Sequence, residues 1–429
     1  MIGVIGLGFV GLTTALGFSE SGTPTVGFDI NKSKCSLINS GRIPFYEPYL
    51  DEALSRHLGV NFFIADGIDE VLAKSDIIFV CVGTPKGSEG SADLSQIRSV
   101  FDEISKAEIE PDKKIILIKS TVPPSTTDKM REYTYAKNPK LKERILVGMN
   151  PEFLREGHSW EDFMNPDRIV VGIDCNKEEK DKINEIYKGF GKNVIFTNPR
   201  TAEFLKYLSN TLLSTLISYS NEMSLIAKKI GEIDTKEAFK LLHLDRRFYG
   251  EPASIVSYIY PGCGYGGYCL PKDTEAIAKL SIDLGFRPQL LESNIRMNSK
   301  IMDFLLSDFI DEHKDRSTRI GILGLAFKPG SDDVRETPAQ RCIALLQREG
   351  YNNIIAFDPM AMANFAHTYP NLRIEYSNSP QELLSNSQVV FILTAWPEFS
   401  QLNYNNKVIY NFRYLSLKHN VDSITNDAL

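Results

Sequence analysis

The chain has 429 residues, a formal net charge of −7, and 42% hydrophobic and 24% charged residues. That length exceeds the roughly 250–300 residues at which one core stops growing, so two or three domains are expected. The acidic balance argues against nucleic acid or an anionic membrane as the main partner, because both demand a basic face. No run approaches the ~18 uninterrupted apolar residues of a membrane span, and no basic stretch precedes a long apolar run at the start, so a cytoplasmic protein is expected.

The first third alternates β-branched runs with amphipathic stretches. Ile2–Ile5, Thr25–Phe28, Asp76–Val82, Lys114–Lys119 and Ile145–Met149 read as buried parallel strands, and Arg168–Ile173 and Asn193–Thr197 extend the series. That alternation predicts a doubly wound, Rossmann-like α/β domain over residues 1–198. Gly6-Leu7-Gly8-Phe9-Val10-Gly11 follows the first strand at once and opens a helix, the context in which a GxGxxG run holds a pyrophosphate at a helix N-terminus. Asp29 ends the second strand about 20 residues on, where a carboxylate accepts from the adenosine ribose and repels a 2′-phosphate. NAD is therefore expected, with Gly6, Gly8, Phe9, Val10, Gly11, Asp29 and the nearby Lys34 at the cofactor.

Asn198-Pro199 pairs an N-cap residue with a proline suited to the first helical position, and the apolar spacing from Phe204 to Ile226 predicts one long helix. Residues 199–300 read as a mostly helical domain interrupted by a glycine-rich loop at 261–267. The broad apolar face of 204–226 suits burial between subunits, which predicts a homodimer or a higher homo-oligomer. Residues 301–429 read as a second, smaller doubly wound domain, its strands at Ile320–Ala326, Ile354–Asp358 and Val389–Thr394. Its glycines lack the full fingerprint, so nucleotide-sugar binding is assigned to it in place of a dinucleotide.

Six cysteines and six histidines are scattered without a C-x-x-C pair or metal-ligand spacing, and no metal is expected. The densest chemical signal is Pro261-Gly262-Cys263-Gly264-Tyr265-Gly266-Gly267-Tyr268-Cys269-Leu270-Pro271-Lys272-Asp273. Four glycines allow close backbone approach to a ligand, and the Lys272 cation would favour a Cys269 thiolate. Cys263 reads as inert.

On these segments, together with Cys81–Pro85, Lys119–Pro124, Asn150–Gly157, Lys206 with Asn210, and Lys328 through Arg335, the chain resembles the UDP-glucose/GDP-mannose dehydrogenase family along nearly its whole length. The resemblance implies an NAD-dependent four-electron oxidation of a nucleotide sugar at its C6 hydroxyl, through a thiohemiacetal and a thioester on Cys269. It implies that Glu156 and Asp273 handle protons through a water positioned by Thr121, and that Lys206 and Asn210, four residues apart on one helix face, stabilise an oxyanion. The cofactor would also meet Thr84, Thr121, Glu156, Lys272 and Arg335. The sugar nucleotide would meet Glu152, Phe153, Leu154, Arg155, Glu156, Lys206, Asn210, Arg247, Tyr258, Ile259, Tyr260, Pro261, Gly262, Gly266, Cys269 and Lys328.

Tyr268 before the cysteine and Lys272 after it depart from the UDP-N-acetylhexosamine branch, and Phe153–Gly157 followed by Pro166–Gly172 resembles the UDP-glucose branch more than the GDP-mannose one. The segment Phe248–Ser257 lengthens the spacing ahead of the loop and puts the role of Arg247 in question. Two other readings compete: a hydroxy-acid dehydrogenase making one hydride transfer without a cysteine, and a non-catalytic NAD-binding scaffold.

Overall fold

The computed structural model describes residues 1–45, 47–85, 91–108, 113–155, 157–250, 253, 255, 262–267, 269–413, 415–418 and 425–426; the side chains of residues 214, 217, 218, 221, 236, 269, 272, 273, 276, 277, 280, 425 and 426 are likewise outside the description. The chain forms two compact units, Met1–Thr215 and Leu216–Leu429.

The first unit is built on eight strands: β1 (Ile2–Ile5), β2 (Thr25–Phe28), β3 (Phe62–Ile64), β4 (Ile77–Val80), β5 (Lys114–Ile118), β6 (Ile145–Met149), β7 (Ile169–Gly172) and β8 (Val194–Thr197). Their order across the sheet is β3-β2-β1-β4-β5-β6-β7-β8. Every pairing is parallel except β6 with β7, which meet antiparallel at Met149 and Gly172. The order reverses at β1, the topological switch point where open α/β sheets bind ligands. Helices α1 (Phe9–Glu20), α2 (Lys32–Asn39), α3 (Leu50–His57), α4 (Ile68–Lys74), α5 (Ser95–Lys106), α6 (Thr126–Lys137), α7 (Ser159–Met164) and α8 (Lys177–Tyr187) surround it.

Because the central strands are covered on both faces, they are apolar at successive positions instead of alternating. Two clusters result. On one face Phe18 of α1 meets Phe79, Phe163, Tyr187 and Phe190 at centroid distances of 5.3–5.6 Å, and on the other Phe101, Ile104 and Val100 of α5 pack with Ile78, Val80 and Ile116. The short strand β3, which sequence periodicity did not predict, buries Phe62 in the core with Ile64 packed against it, and sits at the sheet edge.

Helix α9 (Pro199–Ile230) begins where the sequence indicates: the Asn198 side chain accepts from the Thr201 N–H at 2.9 Å. Its first half lies in the first unit and the remainder in the second. The second unit continues with α10 (Thr235–Leu242), α11 (Cys269–Asp283) and α12 (Gln289–Glu312), then a six-stranded sheet. The strands are β9 (Ile320–Leu323), β10 (Ile354–Phe357), β11 (Glu375–Tyr376), β12 (Val389–Ile392), β13 (Val408–Asn411) and β14 (Thr425–Asn426), in the order β11-β10-β9-β12-β13-β14 and parallel throughout. Helices α13 (Pro338–Arg348), α14 (Met362–Thr368) and α15 (Pro380–Asn386) accompany it. Phe309 of α12 anchors this core against Tyr351, Phe391 and Tyr410. The fold is thus two Rossmann-like sheets joined by helices, as expected.

Candidate active site

The three fingerprint glycines answer three different constraints. Gly6 turns the chain at φ +93°, where a side chain would be strained. A Cβ on Gly8 would meet nothing within 4 Å, so a ligand can approach the backbone there. A Cβ on Gly11 would lie 1.7 Å from the Gly6 carbonyl oxygen, so helix and strand could not pack. No side chain caps α1 at Gly8 and no acidic residue occupies its first turn, which leaves the positive end of the helix suited to a pyrophosphate. Phe9 and Val10 are its first two residues.

Asp29 closes the cradle. Its Oδ2 accepts from the Leu7 N–H at 2.9 Å and from Lys34 Nζ at 2.6 Å, and its Oδ1 accepts from the Asn31 N–H at 2.9 Å. A carboxylate offers about four acceptor positions, so capacity remains for a ribose hydroxyl. At the neighbouring strand ends Thr84 donates its hydroxyl to the Thr121 carbonyl at 2.8 Å, bringing two more of the expected residues together.

Along the same sheet edge, Lys206 of α9 and Glu152 form a buried ion pair at 2.8 Å, their side chains 9% and 12% exposed. The second Glu152 oxygen accepts from the Leu154 N–H at 2.6 Å. Two cations lie over the Phe153 ring, the Arg168 guanidinium 3.9 Å and the Lys206 ammonium 5.8 Å from its centroid. Arg155 forks onto Asp162 through Nε at 3.0 Å and a terminal nitrogen at 2.6 Å, and these hydrogen bonds hold the Asp162 carboxyl below the usual carboxylate range. Asn210, one turn beyond Lys206, is exposed. Glu156 lies outside the described residues. A cavity of about 470 Å³ opens beside this loop, lined by Lys119, Asn150, Glu152, Arg155, Arg168 and Ser209 among others.

Three polar residues that sequence reasoning assigned no role support these loops. Lys119 is buried and donates to Asn150 Oδ1 at 2.9 Å, an oxygen that also accepts from the Tyr187 hydroxyl; burial pulls the Lys119 ammonium pKa below its ordinary value. Glu203, fully buried, accepts from the Ser125 N–H, the Thr127 N–H and the Thr127 hydroxyl at 2.6–2.7 Å, and burial raises its carboxyl above the usual range. It thereby caps α6 from α9. Its position three residues before Lys206, on the same helix face, was the available signal. The third, Glu47, accepts from the Gly157 and Ser159 N–H groups.

In the second unit the glycines of the cysteine loop approach the protein's own chain. A Cβ on Gly262 would lie 2.9 Å from the Phe412 carbonyl oxygen, on Gly264 2.4 Å from Asn298 Oδ1, on Gly266 2.2 Å from the Glu336 carbonyl oxygen, and on Gly267 2.8 Å from the Phe327 ring. The loop is therefore clamped. Asn298 accepts from the Tyr265 N–H at 2.9 Å and donates to its carbonyl at 3.1 Å, and Arg413 donates to the Gly264 carbonyl at 3.2 Å. Cys263 is buried in the core, and desolvation pushes its thiol up. Cys269 is the first residue of α11; its side chain and those of Lys272 and Asp273 lie outside the description, as do Tyr258, Ile259, Tyr260 and Pro261.

Arg247 is held by Asp245, whose carboxyl it lowers to about 2. Arg335 donates to Asp333 at 2.9 and 2.7 Å, and Lys328 is exposed. Asp358 occupies in this sheet the place of Asp29 in the first. It accepts from five donors, the N–H groups of Leu325, Ala326, Met360 and Ala361 and the indole of Trp396, at 2.8–3.1 Å. No acceptor capacity is left for a ribose, which agrees with the incomplete fingerprint.

Among the described residues no helix is long and apolar enough to cross a membrane. The cradle of Gly6, Gly8, Gly11 and Asp29 at a sheet switch point, with a buried lysine–glutamate pair on the same sheet edge, defines an NAD-dependent dehydrogenase. Family models named for the UDP-glucose/GDP-mannose dehydrogenase family match as its NAD-binding domain at residues 1–191, its central domain at 200–300 and its UDP-binding domain at 321–416. A UDP-glucose 6-dehydrogenase of Rickettsia bellii is 35% identical over 412 residues, covering 93% of this chain and 90% of its own. Among solved structures, the ternary complex of GDP-mannose dehydrogenase from Pseudomonas aeruginosa is similar at a TM-score of 0.83 and 28% identity, covering 96% of each chain. A UDP-glucose dehydrogenase from Pyrobaculum islandicum is similar at 0.54 and 35%, covering 100% of this chain and 97% of its own. The chain belongs to the UDP-glucose/GDP-mannose dehydrogenase family. It is an NAD-dependent nucleotide-sugar 6-dehydrogenase.

Proposed function

We propose that the chain oxidises UDP-glucose to UDP-glucuronate in two steps, with Cys269 as the covalent nucleophile. The sugar assignment is supported by the relatives named UDP-glucose 6-dehydrogenase, 31–35% identical over most of the chain, and by the Phe153–Gly157 and Pro166–Gly172 segments. The single observation that carries the residue roles is the buried Lys206–Glu152 pair, which holds a cation on the helix face that also bears Asn210.

NAD, when bound, accepts a hydride from C6 in each oxidation. In the first, the hydroxyl proton passes to a water held by Thr121, Glu156 and Asp273. The Cys269 thiolate then attacks C6 of the aldehyde: a C–S bond forms, and Lys206 and Asn210 donate to the oxygen that gains the charge. Loss of the second hydride leaves a thioester on Cys269. Water adds to the thioester carbonyl as Glu156 or Asp273 takes one of its protons, the C–S bond breaks to return the thiolate, and the carboxylic acid formed loses its own proton to solvent. Gly6, Gly8, Phe9, Val10, Gly11, Asp29, Lys34, Thr84, Thr121, Glu156, Lys272 and Arg335 serve the cofactor; Glu152–Glu156, Arg247, Tyr258–Gly262, Gly266 and Lys328 serve the sugar nucleotide.

The division into residues 1–198, 199–300 and 301–429 and assembly through α9 belong to the same proposal. A second sugar, GDP-mannose, is favoured by the similarity to the Pseudomonas structure. An NADH-production screen across UDP-glucose, UDP-galactose, GDP-mannose and UDP-N-acetyl sugars decides: the expected result is about two NADH per UDP-glucose. Turnover of GDP-mannose alone would replace the sugar, and one NADH per sugar with a released aldehyde would remove the cysteine step.

A further inference from the structure

The strap between α2 and α3 touches both the cofactor fingerprint and the sugar loop. Phe45 meets Phe9, the first helical residue after the Gly6–Gly8 turn, edge to face with centroids 6.0 Å apart. Two residues on, Glu47 is 2% exposed. Its Oε2 accepts from the Gly157 N–H at 2.9 Å and its Oε1 from the Ser159 N–H at 2.7 Å. Those donors follow directly on the segment 152–156 proposed to meet the sugar nucleotide.

A carboxylate buried this far is costly unless hydrogen-bonded, and here each oxygen is engaged by a main-chain donor. Glu47 therefore holds backbone in place. What it holds is also anchored nearby: Val10, Phe45, Leu154 and Trp160 all pack against one core cluster, and Arg155 is forked onto Asp162 of α7. Gly157, at φ +83°, makes the turn that aims its N–H at Glu47.

We propose that Glu47 is a positioning residue that sets the 152–157 loop, four of whose residues are assigned to the sugar alone, relative to the cofactor cradle, and so governs nucleotide-sugar binding far more than NAD binding. The inference rests on the loop's role given under Proposed function. Glu47→Gln keeps the shape but turns an amide towards one of the two N–H groups, and Glu47→Asp shortens the reach. For Glu47→Gln the expected outcome is a rise of roughly ten-fold or more in KM for the nucleotide sugar. The NAD Kd should stay within about two-fold of wild type, and Glu47→Asp should show the same split at smaller size.

Trp160, the second residue of α7, supplies a spectroscopic readout: in a Trp396→Phe background its fluorescence response should move to the same higher sugar concentration as KM. Whichever sugar the unmodified protein oxidises in the screen is the one used, so a wrong sugar assignment shows in the wild type and a wrong role for Glu47 only in the variants. If Glu47→Gln fails to fold, Glu47→Asp decides alone. Sugar KM and NAD Kd both unchanged, or both raised together, would overturn the proposal.

Discussion

Five cysteines have described side chains, and each is protected in the same way. Burial pushes up the thiols of Cys35, Cys175, Cys263 and Cys342, and pushes that of Cys81 up to about 12. Because only the thiolate alkylates, these five should react more slowly than an ordinary exposed thiol near neutral pH. Inactivation by iodoacetamide should therefore track a single thiol. Mass mapping is expected to find the label on Cys269, and labelling at Cys35 or Cys175 with equal loss of activity would count against that role. A matching substitution test separates the two cysteines of the glycine loop. Cys269→Ser should block the second oxidation or thioester hydrolysis and lower kcat by roughly 10³-fold or more, whereas Cys263→Ser should stay within about ten-fold of wild type. Equal activity in both variants would remove Cys269 from the mechanism.

Between elements, the buried carboxylates act as bolts. Glu203 joins α9, which carries Lys206, to the loop after β5, which carries Thr121. Glu203→Ala would strand two backbone N–H groups and a hydroxyl at a helix N-terminus, and should cost about 3 kcal/mol in urea unfolding. A loss under about 0.5 kcal/mol would mean that water replaces the carboxylate. Such bolts explain what was and was not legible in the sequence. The strands β1, β2 and β4–β8 and the start of α9 were readable because apolar runs and an Asn-Pro cap are local signals. Glu47 was not, because its partners lie 110 and 112 residues away and an isolated glutamate carries no local mark of burial; Glu203 shares the helix face of Lys206, but its partners, 78 and 76 residues away, were not legible. The loop glycines show in their spacing that a backbone must come close to something, but not that Phe412, Asn298, Glu336 and Phe327 of the same chain are among what it meets. The short strand β11 at a sheet edge gave too few residues for any periodicity.

For the molecule as a whole, α9 presents Phe204, Leu208, Leu213 and Leu216 with 49–57% of each side exposed, which is unusual for so many large apolar groups on one helix. The proposed assembly through α9 would bury them, so sedimentation should give a dimer or larger. Leu208→Glu with Leu216→Glu should shift the protein toward monomer, and a monomeric wild type would contradict the assignment. Two sheets of the same winding also carry the same acid in the same place, yet only Asp29 retains room for a ligand. Asp358 has become a keystone, tying together the β9 and β10 turns and the Trp396 indole. Attempts to engineer a second dinucleotide pocket into the C-terminal unit by restoring glycines alone should therefore fail: the indole would first have to be removed, and the carboxylate detached from turns that now depend on it.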